Sequence, residues 1–491
     1  MIDLLALTDR LSNKVVLGGP LVRSQSSKDL AVVNPATRQK IACIAVCEEP
    51  EINKAINGAK IAQQSFKKIS AQERGRLVQA CGQILKEHKE ELALLMSYES
   101  GKALRTESRV ELSVIADTFS FYGGLALELK GETIPYDPQI LSFTMREPVG
   151  VVAAIIPWNV PLLLMSMKVA PALVAGNTVV LKPSPEASLV VLRAAELMNQ
   201  VLPPDTLNVI TGDKITGSQI VAHPDIKKVS FTGSVESGRE VYKNAAQKLI
   251  PVTLELGGKS PMIILEDADL KEAAESAFLG MRFSRQGQSC SASSRFFVHQ
   301  RLFDDFMTEL LKRLDNLVIG DPLDEKTDIG TLISERQYEK VQHYIKMAEN
   351  DPALSLHFAN SLPTEAHLRE GLFVLPCLIS GLSNNHPICQ EEIFGPVAAV
   401  LPWTNFDEVI KEANDVPFGL AAGIWTRDLP KALKAVSALD AGFVQVNQYM
   451  VFRPSLPFGG FKNSGIGKEA SLDAMLEHYT KVKTILINMK G

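Results

Sequence analysis

Residues 149–167, VGVVAAIIPWNVPLLLMSM, form a run of 19 residues without a charge, and no other stretch restricts the fold as strongly. Its hydropathy suits a membrane span. Pro157, Asn159 and Pro161 interrupt its middle, however, where a spanning helix would forfeit backbone hydrogen bonds in lipid, and Lys168 follows at once. The run reads instead as a buried strand over 149–156, a Pro-Trp-Asn turn, and a helix with Pro161 at its first position that runs to about residue 175 and stops at Gly176.

The pattern then repeats. An apolar strand over 178–181 is followed by a helical run over 186–202 closed by Pro203 and Pro204, and strands over 207–211, 228–232 and 252–256 alternate with helices over 215–222 and 236–249. Such alternation specifies parallel strands with helices on both faces, the doubly wound α/β class. A second series starts after Gly257 and Gly258, with strands over 262–265 and 295–299, helices over 270–282 and 302–317, and an end near residue 446. A chain of 491 residues exceeds a single hydrophobic core, so at least two domains are expected. Residues before 122 add helices, among them the mixed-charge run 71–97. Two segments, 140–147 and 481–489, alternate like strands outside both series; they either pair with each other or across subunits, or edge the nearest sheet.

Bulk properties narrow the function. A net charge of -5 provides no field for nucleic acid or anionic lipid, so neither partner is expected. The six cysteines are scattered without a CxxC or a zinc-type His pairing, so neither a metal nor a disulfide framework is expected. The N-terminal MIDLLALTDRLSNKVV carries Asp3 and Asp9 and lacks a basic n-region, so it does not read as a signal peptide and a cytoplasmic location is expected.

Four stretches can carry chemistry. GQSCSAS surrounds Cys290 with small residues, which suits either a nucleophile or a small buried filler, and Arg285 offers a charge to lower the thiol pKa or simply points to solvent. In LELGGKSP, Glu255 ends an apolar strand, where a general base or a carboxylate satisfied by backbone amides can sit. Asn159 in PWN is an oxyanion donor or a turn residue. FTGSVESG places Gly233 and Ser234 between strand and helix, a phosphate-accepting geometry, although GSxxxG is not the dinucleotide fingerprint GxGxxG.

In chain order, PWNVPLLL, LKPSPE, FTGS, LELGGKSP, GQSC, EEIFGPV and LPFGGFKNSGIGKE each resemble a landmark of the aldehyde dehydrogenase superfamily, across nearly the whole chain. The resemblance implies two doubly wound α/β domains plus a small β oligomerisation segment: a Rossmann-like cofactor domain from residues 1–122 and 149–257, a catalytic domain from 258–446, and oligomerisation segments 123–148 and 470–491 of a homodimer or homotetramer. It implies that Cys290 attacks the aldehyde carbon, that Asn159 and the Cys290 amide hold the oxyanion, and that Glu255 activates water to hydrolyse the thioester. Lys168 and Glu469 match a proton-relaying pair, or form a structural ion pair. For the cofactor it implies Ile156, Trp158, Lys182, Ser184, Glu186, Gly233, Ser234, Leu256, Glu392 and Phe394. NAD-preferring members commonly carry glutamate three residues after the lysine of LKPSPE; this chain has Pro185 there and Glu186 one place later, so NAD is preferred and NADP is the alternative, with no metal.

The matched substrate positions are Val160, Leu163, Leu164, Met167, Phe283, Ser284, Arg285, Tyr449, Met450 and Phe452. Most are apolar, and Met167 and Ser284 are smaller or softer than the aromatics frequent in small-aldehyde members, which suits an aromatic, terpenoid or medium-chain aldehyde. Arg285 and Arg453 keep a carboxylate-bearing semialdehyde as the alternative. A CoA-acylating reaction is the less favoured reading because Glu255 is present. An idle homologue is disfavoured by the joint presence of Cys290, Glu255 and Asn159.

Overall fold

A computed structural model describes residues 2–449 and 453–490 of the chain. Two large sheets dominate. In the first, Leu207–Val209, Thr178–Lys182, Val151–Ile155, Ile226–Thr232 and Val252–Glu255 lie side by side and parallel. Chain order reverses between Val151–Ile155 and Ile226–Thr232, which opens a crevice at the carboxyl ends of those two strands. Lys14–Val16 and Leu21–Arg23 extend one edge and Gly465–Ile466 the other, all antiparallel. The first 120 residues therefore contribute strands as well as helices; three-residue strands are too short to show a period of two.

The second sheet orders Ser355–Phe358, Cys377–Ser380, Val397–Trp403, Arg295–His299, Pro261–Ile264, Ala421–Trp425 and Phe443–Val446. Only Ser355–Phe358 runs antiparallel to its neighbour. Strand residues alternate between two cores: Val152 and Ala154 pack among Leu112, Phe119 and Leu173, while Val151 and Ala153 pack among Ile52, Ile56 and Val221. In the second sheet Met262 and Ile264 face Phe296 and Phe306, and Ile263 faces Val341 and Ile345. A strand buried on both faces reads as a continuous apolar run, which is the signature that residues 149–156 carry.

That run is a strand, a turn and helix Pro161–Val174. The helical stretch Leu104–Glu128 also reaches membrane-spanning length and hydropathy, yet its Leu112, Ile115, Phe119 and Tyr122 pack in the core against the neighbouring helices. Ile140–Pro148 pairs antiparallel with Thr480–Asn488, from Thr480 opposite Pro148 to Asn488 opposite Ile140. Helix Leu472–Tyr479, just before that strand, packs its Met475 and Tyr479 into the first core.

Candidate active site

The carboxyl edge of the first sheet meets the amino edge of the second through a short link. Glu255 ends one strand, Gly257 and Gly258 turn the chain, and Pro261–Ile264 begins the next sheet. The glycines are required by close approach: a β-carbon on Gly257 would strike the Glu392 carboxylate, and one on Gly258 would strike the Cys290 carbonyl.

Cys290 lies in the loop before Arg295–His299, so the second sheet presents it from its amino edge. Left-handed residues Arg282, Gln286 and Gly287, with φ of 56°, 56° and 64°, wind this loop tightly. Gln288 fastens it, since its Oε1 accepts from the Ile333 amide at 3.1 Å. The side chain of Gln286 donates to the Gly330 carbonyl at 2.8 Å and the Tyr449 hydroxyl to the Ser291 carbonyl at 3.0 Å. The serines beside the sulfur are packed rather than open: Ser289 and Ser291 are buried and bond each other at 3.3 Å.

Arg285 does not activate the thiol. Its guanidinium pairs with Glu107, which also accepts from the Ser284 hydroxyl, so both polar side chains are engaged away from the sulfur. Burial, then the negative charges of Glu392 and Glu255, push the Cys290 thiol up to about 12, against backbone hydrogen bonds from Ser291 and Cys290 itself. Glu107 is pushed up by burial but held below its ordinary value by Arg285, Arg282 and Ser284.

Asn159 is placed by two residues absent from the sequence reading. Pro161 opens its helix without an N–H and Val160 cannot cap it, so the amides of Leu162 and Leu163 need an outside acceptor. Glu111 supplies it, with Oε1 accepting at 3.0 and 3.1 Å. Lys102 pairs with the other Glu111 oxygen at 2.6 Å and donates to the Asn159 carbonyl at 3.2 Å. The buried Asn159 side chain then donates to the Gln288 carbonyl at 3.2 Å, two residues from Cys290, and its second amide hydrogen has no acceptor among the described residues. Glu111 and Lys102 sit in a mixed-charge stretch, and only their burial sets them apart.

Glu255 is buried with neither oxygen hydrogen-bonded among the described residues. Burial first, then the nearby Glu469 carboxylate, raise its pKa well above the ordinary range, partly offset by Lys168 and Lys468. Lys168 and Glu469 form a buried ion pair at 2.6 Å.

The positions matched to the cofactor surround the crevice. Trp158 and Phe394 meet edge to face at 5.3 Å between ring centres. The Glu392 to Phe394 segment is pinned by Gln337, donating at 3.0 and 2.9 Å to the Ile393 and Phe394 carbonyls, and by Lys340 on the Glu392 carbonyl. Glu392 itself accepts from the Gly258 amide at 2.9 Å. Ser234 caps helix Val235–Ala246, while Gly233 lies over the Phe231 ring. Buried Lys182 donates to the Pro183 carbonyl, and burial lowers its pKa to about 8 against Glu186, which accepts from Ser184. Ile156 and Leu256 are buried beneath this surface, the latter against Gly238. A spare ammonium donor, a carboxylate acceptor and an open helix N-terminus fit a dinucleotide's ribose hydroxyls and pyrophosphate.

Met167, Leu420, Phe458 and Ala470 form a small apolar cluster with Leu163, Leu164, Phe443 and Cys290 against it. Sequence reasoning missed Leu420 and Phe443, which come from the second sheet's far end and carry no motif. Phe458 lay within LPFGG without being singled out. Val160 is buried beside Asn159; Phe283 instead stacks on Phe278 inside the second core. Tyr449 lies against Gly280 and Gly423. Met450 and Phe452 fall outside the described residues.

A family model described as the aldehyde dehydrogenase family matches residues 21–485. Retinaldehyde dehydrogenase 3 of Mus musculus is 38% identical over 97% of this chain and 93% of its own. A mitochondrial aldehyde dehydrogenase of Leishmania tarentolae is 39% identical over 97% and 95%. The structure of betaine aldehyde dehydrogenase from Staphylococcus aureus in complex with NAD+ superposes with a TM-score of 0.94 at 35% identity, covering 99% of this chain and 97% of that one.

Proposed function

This chain belongs to the aldehyde dehydrogenase family, and from that premise we propose that it oxidises an apolar aromatic, terpenoid or medium-chain aldehyde to its acid through a Cys290 thioester. The observation that carries the substrate class is the apolar cluster of Met167, Leu420 and Phe458 packed against Cys290. The enzyme is an NAD(P)-dependent oxidoreductase. When bound, the dinucleotide accepts the hydride from the substrate carbon.

In this reading Cys290 loses its proton to water, the thiolate adds to the aldehyde carbon, and the second side-chain amide hydrogen of Asn159 with the Cys290 amide stabilises the oxyanion. After the hydride leaves, Glu255 takes a proton from water, which attacks the thioester and returns the thiol. Its orphaned oxygens support that role, because a carboxylate already satisfied by amides would be a poor base. Lys182, Ser184, Glu186, Gly233, Ser234, Glu392 and Phe394, with Trp158, Ile156 and Leu256, hold the cofactor. The Glu186 carboxylate favours NAD+ over a 2'-phosphate. Residues 1–122 with 149–257 form the cofactor domain and 258–446 the catalytic domain. A reducing compartment, the cytoplasm, suits six unpaired cysteines.

Arg285 is held by Glu107, which removes one support for a semialdehyde substrate. The test is a panel of benzaldehydes, terpenals, straight-chain aldehydes and semialdehydes with NAD+ and NADP+, read as kcat/KM. Highest values for the first three classes with NAD+ are expected. A preference for semialdehydes, or acyl-CoA formation when CoA is supplied, overturns the substrate or the hydrolytic assignment. Cys290→Ala abolishes turnover; retained NADH production would refute the covalent route.

A further inference from the structure

Lys228, on strand Ile226–Thr232, is fully buried, and its Nζ makes its one hydrogen bond among the described residues to the Thr253 hydroxyl at 3.2 Å. No carboxylate among the described residues pairs with it. A position serving packing alone would be filled more favourably by an apolar side chain, because burying an unpaired ammonium costs several kcal/mol. The bonds beyond Thr253 run on without a break. Thr253 Oγ1 contacts Ser230 Oγ at 3.2 Å, Ser230 Oγ contacts Glu469 Oε1 at 3.2 Å, and Lys168 joins at both Ser230 and Glu469.

The inner end of this chain is Glu469, whose charge acts on Glu255 without a direct hydrogen bond between the two among the described residues. Phe458 and Glu469 exchange backbone hydrogen bonds at 2.9 and 2.7 Å, and Gly459 lies so close to Glu255 that an added β-carbon would sit 2.6 Å from Oε1. That bridge brings the two carboxylates together, and each has an oxygen unpartnered among the described residues. The outer end reaches helix Leu472–Tyr479. Gly467, at φ 84°, allows His478 Nε2 and the Thr253 methyl to pack over the same Cα, and the Tyr479 ring lies 5.3 Å from the Lys228 ammonium. Glu477 on that helix is exposed and His478 half-buried.

We infer that Lys228 is a relay residue: the chain Glu469, Ser230, Thr253, Lys228 carries the deacylation proton from Glu255 to the solvent-facing turn at His478 and Glu477. The inference rests on the assignment of Glu255 as deacylation base. Hydrolysis turns one thioester and one water into a carboxylate and a thiol and releases one proton. Glu255 receives it from the attacking water and passes it to Glu469 through a second water between their unpartnered oxygens. Protonated Glu469 donates to Ser230, Ser230 to Thr253, and Thr253 to the neutral Lys228 amine, which becomes an ammonium and loses the proton outward. Both hydroxyls rotate, so they are ready for the next proton.

The groups facing Lys228 agree with a proton acceptor working near neutrality. Burial lowers its pKa to about 7, Glu469 and exposed Glu477 raise it, and Lys168 lowers it further. His478 is lowered by burial and by Lys228. Tyr479 is driven upward by burial and Glu469, and Tyr122 likewise, so neither phenol competes for the role.

The experiment compares the hydride burst with steady-state kcat across pH, using NAD+ and the aldehyde of highest kcat/KM in the panel. Variants are Lys228→Met, Thr253→Val and Glu255→Gln, with Lys227→Met as control. Lys227 lies on the surface with Nζ on the Pro224 carbonyl. In Lys228→Met and Thr253→Val, kcat at pH 7 falls about tenfold while the burst is spared, and the deficit shrinks as pH rises because hydroxide accepts the proton. Lys227→Met matches the parent. Parental kcat and pH profile in both variants, or equal loss of burst and kcat, overturns the relay. If Lys228→Met fails to fold, Thr253→Val, which is nearly isosteric and keeps the lysine, decides alone. If Glu255→Gln loses burst and kcat equally, the base assignment itself falls; if it spares the burst while the other two variants retain parental kcat, only the relay falls.

Discussion

At the scale of single residues, the reactive sulfur sits in a site that resists its ionisation. The thiolate is the nucleophile, so its population at a given pH sets the rate of any reaction at Cys290. With the thiol pushed up to about 12, thiolate grows tenfold per pH unit throughout the neutral and moderately alkaline range. Alkylation of Cys290 by iodoacetamide, followed by peptide mass spectrometry on the cofactor-free enzyme, is therefore expected to keep accelerating through pH 10. An ordinary cysteine would level off soon after about pH 8.5. Glu392 is the largest charge opposing ionisation, so removing it lowers the thiol pKa, and Glu392→Gln is expected to be alkylated several-fold faster at pH 8. An unchanged rate would show that burial alone sets the thiol's acidity.

At the scale of elements, the cysteine loop and the Pro-Trp-Asn turn are held by groups distant in sequence. Glu111 caps helix Pro161–Val174 and anchors Lys102, which in turn holds the Asn159 carbonyl. Glu111→Ala leaves two helix amides unsatisfied and a buried ammonium unpaired, a loss of about 3–5 kcal/mol. Denaturant melts should show that loss, with kcat falling because the Asn159 donor loosens; unchanged stability would remove Glu111 from this role. Apolar runs bounded by Pro and Gly made the parallel strands readable; Glu255 and Asn159 stood out as candidates because each closes or follows such a run, and Cys290 because small residues surround it. Lys102, Glu107 and Glu111 did not stand out. Nothing in KALRTESRVE marks one charge as buried, and only packing against helix Pro161–Val174 and the cysteine loop buries them. Arg285 illustrates the same limit, since a charge five residues before the sulfur was free to point either way until Glu107 captured it.

At the scale of the whole molecule, the ribbon of Ile140–Pro148 and Thr480–Asn488 is difficult to explain in one copy of the chain. A two-stranded ribbon is marginal on its own, and although residues 132–134 bond along the outer edge of Ile140–Pro148, the outer edge of Thr480–Asn488 has no strand partner among the described residues. Its register puts Leu141 opposite Ile487, Phe143 opposite Ile485 and Met145 opposite Lys483, so one face is a nearly continuous apolar stripe. Leu141, Met145 and Ile487 on that face are exposed. Exposed stripes of this kind mark association sites, and full burial of each such side chain contributes about 1.5–3 kcal/mol. A second copy of the chain is the partner we propose, as a homodimer or homotetramer, since the same ribbon offers it a matching stripe and the outer edge of Thr480–Asn488. Replacing Met145 and Ile487 together with aspartate is expected to shift sedimentation equilibrium toward the monomer while leaving the far-ultraviolet circular dichroism intact, because neither side chain contributes to the two main cores. An unchanged association state in that variant would place the subunit contact on another surface.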